Sequence, residues 1–76
     1  LLDVNVAPSG ATIKVIDVNG DKWAPIAGTT NIFVITKVGT YEVVVSKTGY
    51  ITKTKTVRID EDHFEQTIEV ALEAAG

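Results

Sequence analysis

The chain has 76 residues, 45% of them apolar, a net charge of −3 and no cysteine. That size allows one domain, residues 1–76, near the lower limit for a self-sufficient core, and the missing cysteines exclude disulfides and thiolate metal sites. The seven basic residues form no dense block, so no nucleic-acid partner is expected, and no apolar run approaches the roughly 20 residues that would insert in a membrane.

The first strand is predicted over Leu2–Ala7, with Leu2, Val4 and Val6 inward and Asp3 and Asn5 outward. Pro8 ends it, because proline cannot donate to a ladder. A second strand runs from Ala11 to Val18. Ala11, Ile13 and Val15 share one face while Ile16 and Val18 fall on the other, so either a bulge shifts the register or both faces are covered. Asn19-Gly20 then signals a two-residue hairpin of type I′, in which both central residues take positive φ.

Lys22–Ile26 is a short segment carrying Pro25, which marks it as an edge strand or irregular crossing. Asn31–Thr36 follows, with Phe33 and Ile35 as its core pair. From Gly39 the chain alternates again, Tyr41, Val43 and Val45 inward and Glu42, Val44 and Ser46 outward. Tyr50–Ile59 alternates threonine with lysine before Val57 and Ile59 turn inward. Gln66–Glu73 closes the chain with Ile68, Val70 and Leu72 inward. Seven short strands separated by turn residues predict an all-β sandwich or barrel without helix.

Two stretches carry a family resemblance. Val6-Ala-Pro-Ser-Gly-Ala-Thr-Ile13 resembles the first half of the PEGA domain signature, a strand ending at Pro-x-Gly-Ala. Gly39-Thr-Tyr-Glu-Val-Val-Val-Ser-Lys-Thr-Gly-Tyr50 resembles its second half, ending in Lys-x-Gly-Tyr. Ala11–Gly20 is similar as well to carboxypeptidase-regulatory-like domains. The resemblance spans residues 4–59 and, with the seven strands, implies an all-β, seven-stranded antiparallel sandwich of transthyretin or immunoglobulin type. It also implies a non-catalytic module of bacterial envelope or secreted proteins, or of phage particles, that contacts carbohydrate, cell wall or protein. With Leu1-Leu2 already inside a strand pattern, the chain is expected to be cut from a longer protein.

Candidate sites are few. Trp23 could stack on a sugar or anchor a protein partner, or cap the sandwich. Ile16, Val18 and Val44 would form an apolar stripe if the second and fifth strands pair, a contact for another domain or for weak self-association. Asp17-Val-Asn-Gly-Asp21 misses the calcium-loop spacing and reads as a turn. The Asp60–Glu65 loop gathers four carboxylates and His63. It reads as a solvated turn with Phe64 against the core rather than a calcium site, and no metal or cofactor is expected. Lys47, Lys53, Lys55 and Arg58 read as the solvated face of one strand. Lys14, Asn5 and Asn31 are not placed for an internal isopeptide crosslink. No nucleophile–base pair suggests an enzyme.

Overall fold

The computed structural model describes residues 1–76 and contains no helix. Its seven strands are β1 (Leu2–Ala7), β2 (Thr12–Asp17), β3 (Lys22–Trp23), β4 (Ile32–Phe33), β5 (Gly39–Ser46), β6 (Lys53–Ile59) and β7 (Gln66–Ala71). They form two sheets, one ordered β4-β1-β7 and the other β3-β2-β5-β6. The core lies between them, as the alternation of apolar residues demands. Leu2, Val4, Phe33, Ile35, Val70 and Leu72 meet Val15, Tyr41, Val43, Val45, Val57 and Ile59. Removing one such aliphatic side chain from water contributes about 1.5–3 kcal/mol.

One pairing departs from an all-antiparallel sandwich. β1 and β7 run parallel, from Leu2 opposite Gln66 to Ala7 opposite Ala71. The cause is the route of the chain. β6 ends in the four-stranded sheet, the 60–65 loop crosses to the other sheet, and β7 starts where β1 starts, with the Gln66 N–H donating to the Leu1 carbonyl. All other pairings are antiparallel.

The second strand is shorter than its sequence pattern suggests, and neither a bulge nor two covered faces explains Ile16 and Val18. β2 pairs β5 in unbroken register from Thr12–Ser46 to Asp17–Tyr41. Ile16 is half-buried on the outer face, and Val18 has already left the strand.

The hairpin is not a two-residue type I′ turn either, because only Gly20 has positive φ, at 82°. The Gly20 N–H donates to the Asp17 carbonyl and the Asp17 N–H to the Asp21 carbonyl, which makes a three-residue loop with Gly20 in the left-handed position. The Asp17 side chain selects this turn by accepting from the Asn19 and Asp21 N–H groups at 2.9 and 3.0 Å.

β3 ends at Trp23, so Pro25 lies outside the ladder, at the edge position its missing donor requires. β4 retains only Ile32–Phe33, though Ile35 is still buried beyond it. β6 begins at Lys53 rather than Tyr50, and Tyr50 instead forms an isolated bridge with Ala74.

Candidate interaction surface

Trp23 lies opposite Val15 on the core side of the four-stranded sheet. Its ring meets Tyr41 edge-on, with centroids 5.8 Å apart at 79°. The indole N–H donates to Asp17 Oδ2 at 3.3 Å. The half-buried Trp23 therefore caps one end of the core, with its polar handle occupied, as an aromatic in so small a domain is best used.

Several contacts converge on Asp17. Burial alone would raise its pKa, but the Asp21 N–H, the Trp23 indole, the Asn19 N–H and the Lys37 charge hold it below the ordinary value. Tyr41 goes the other way, since burial and then the Asp17 charge favour its neutral phenol. The Tyr41 hydroxyl donates to the Lys37 carbonyl at 2.6 Å.

The structure brings Ile16 and Val44 together but leaves Val18 apart. β2 and β5 do pair, with Ile16 opposite Glu42 and Lys14 opposite Val44, so the two aliphatics are diagonal neighbours on the outer face. Both are half-buried. Val18 is 76% exposed at the hairpin tip. The apolar stripe is thus a small patch interleaved with Lys14 and Glu42.

The two acidic segments use their carboxylates to hold turns. Asp60 Oδ1 accepts from the Asp62 N–H at 3.0 Å and meets His63 Nδ1 at 2.6 Å. The His63 hydrogen bond is the main reason the Asp60 carboxyl stays below its ordinary value; burial opposes it, while the Asp62 N–H and the His63 and Arg58 charges assist. The Gln66 amide donates to the carbonyls of Arg58 and His63, tying the loop to the end of β6. Phe64 packs against the core. No three His, Cys, Asp or Glu side chains converge as a metal site would need.

The basic residues do not share one solvated face. Lys53 and Lys55 lie opposite Val45 and Val43, so both project on the core side of β6, whereas Arg58, opposite Thr40, projects outward. Lys47 is in the β5–β6 loop, where its ammonium donates to the Ser9 carbonyl at 3.1 Å. β6 and β7 are edge strands on the same flank of the sandwich. Between residues 52–55 and 69–71 runs an open groove of about 470 Å³, and Lys53 Nζ lies 3.9 Å from Glu73 Oε1. Counting parity back from Val57 and Ile59 would have revealed these inward lysines.

A compact sandwich, turn-holding carboxylates and surfaces limited to edges and outer faces define a small all-β module. The PEGA domain model matches residues 1–75, and the chain belongs to that family. The match extends beyond the 4–59 stretch that carries the two motifs. PEGA is a family of non-catalytic modules, and its members occur in extracellular or periplasmic proteins. No curated protein and no solved structure matches the chain.

Proposed function

We propose that this domain is a structural spacer in a cell-surface, secreted or virion protein, holding neighbouring parts apart and contacting them through its edges and the Ile16–Val44 patch. One observation carries the reading. Because β1 and β7 are parallel neighbours, the first residue of β1 and the last of β7 lie at opposite ends of the ladder, about 17 Å apart at ~3.3 Å per residue. The chain then runs on past Ala71 to bond Gly49 and Ile51. A sandwich with antiparallel first and last strands would bring both termini to one end and add little length.

Carbohydrate binding through Trp23 has less support, since its indole N–H is engaged by Asp17 and its ring packs against Tyr41. A glycan array with Trp23→Ala as control addresses that alternative.

The spacer reading is tested by inserting the domain between two globular reporters and measuring their separation by small-angle X-ray scattering. The separation should grow by at least the ladder's length, about 17 Å, and vary less than with a Gly/Ser linker of equal length. Reporters folding back along the flank of the sandwich would refute it.

A further inference from the structure

The parallel ladder has a mechanical consequence that rests on, and extends, the spacer reading. Tension applied through the two termini enters at Leu1, runs along β1, crosses to β7 and leaves toward Gly76. No other strand lies between these two in the sheet. The long intervening chain, including the whole four-stranded sheet, hangs outside this path. Because β1 and β7 point the same way, the load slides one strand past the other. Their hydrogen bonds lie across the load and share it together, instead of opening one at a time from an end.

The ends of the ladder are anchored as well. The Gln66 N–H donates to the Leu1 carbonyl and the Leu72 N–H to the Ala7 carbonyl, so the bonding runs the full length of both strands. Leu2, Val4, Val70 and Leu72 are buried beneath it. The exit of β7 is gripped by the β5–β6 loop, through the Ile51 N–H to the Glu73 carbonyl and the Ala75 N–H to the Gly49 carbonyl. We propose that the β1–β7 ladder is a shear clamp, making the domain a load-bearing element that resists forced extension through its termini.

Forced unfolding is governed by the unfolding barrier along the pulled direction, so direction is the discriminating variable. The chain has no native cysteine, and a Glu61→Cys variant supplies a single handle in the 60–65 loop, beside the start of both strands. Single-molecule stretching between the two termini shears the ladder, while stretching between the N-terminus and position 61 peels it from the Leu2–Gln66 end. The terminal geometry should need a severalfold higher force. Equal forces would overturn the clamp.

Strand alternation supplies a second test. Leu1 and Ala7 bond toward β7, so the Asn5 N–H also points into the ladder. Even-numbered β7 residues face β1, which turns the Glu69 N–H to the free edge. Asn5→Pro should lower the terminal unfolding force and Glu69→Pro should leave it near the parent value; equal losses would refute the assignment. Failure here, with reporter separation intact, would remove the load-bearing role and leave the spacer.

Discussion

The Lys47 ammonium sits 3.1 Å from the Ser9 carbonyl, joining residues 38 positions apart in the chain. It clamps the β1–β2 turn to the β5–β6 loop, and so unites the two stretches that mark the family. Gly10 is at the centre of this contact. Its φ is +85°, and a Cβ built there would lie 3.1 Å from Lys47 Nζ. Gly49, in the other loop, also takes positive φ, and the Tyr50 N–H closes that turn on the Lys47 carbonyl. Both motifs therefore record backbone geometry at one end of the sandwich.

Gly10→Ala should cost about 1–2 kcal/mol, the penalty of left-handed backbone for a residue with a Cβ. Lys47→Ala should cost about 1 kcal/mol or less, because the hydrogen bond it removes is solvent-exposed. The strain at Gly10 is in the backbone and the lysine tip can move, so Lys47→Ala should not rescue Gly10→Ala. Urea denaturation of the two single variants and the double variant measures this; restored stability in the double variant would show that steric contact dominates.

Asp60 and Asp17 both hold their carboxyl protons less tightly folded than unfolded. Their contribution is present above the ordinary carboxylate pKa of about 3.9 and is lost as pH falls through the lower folded values. Stability should therefore decline on acidification below about pH 4. Asp60→Asn should flatten part of that decline and leave the Asp17 part. Urea midpoints followed by fluorescence of Trp23, the single tryptophan, provide the measurement; an unchanged acid limb in Asp60→Asn would contradict it.

Tyr41 has the opposite sign. Its folded pKa is raised, by burial first and the Asp17 charge second. Its contribution is complete below the ordinary phenol value of about 10 and is lost as pH rises through the higher folded value. Tyr41→Phe should flatten the alkaline limb while costing about 1 kcal/mol at neutral pH, since the hydrogen bond to the Lys37 carbonyl disappears. Thermal melts from pH 7 to 11 test both effects.

Most of the sandwich was legible because the sheets are patterned by a two-residue period. Leu2 with Val4, Tyr41 with Val43 and Val45, and Val57 with Ile59 all face the core as their spacing requires. The features that escaped depend on relations the local pattern does not encode. The parallel pairing joins residues 2–7 to 66–71, and no turn sequence between adjacent strands specifies it. The hairpin type was decided by the Asp17 side chain rather than by Asn19-Gly20 alone. Trp23 reads as a core or cap residue ahead of a surface one, and its register opposite Val15 puts it on the inner side. For Lys53 and Lys55 the parity was readable. Both sit on the inward side of an edge strand, yet Lys55 is exposed and Lys53 half-buried, so their solvation was legible but their separation from the face of Arg58 was missed.

Those two lysines are placed to oppose pairing of the β6–β7 flank. β7 has free backbone groups at Thr67, Glu69 and Ala71, since its even-numbered residues bond β1. β6 is likewise an edge strand. Two copies meeting edge to edge about a two-fold axis along the strands would continue each sheet of one into the other sheet of its neighbour. That arrangement would place Lys53 and Lys55 of both copies in a shared interior, where four ammonium groups repel and lose solvation. Inward-pointing charge of this kind is a known guard on sheet edges. Lys53→Val with Lys55→Val should remove the guard and make the chain self-associate, whereas Lys14→Val, on the outer face, should change the elution far less. Size-exclusion chromatography with light scattering across protein concentration decides it. A double variant that stays as monodisperse as its parent would mean that edge geometry, rather than these charges, keeps the flank open.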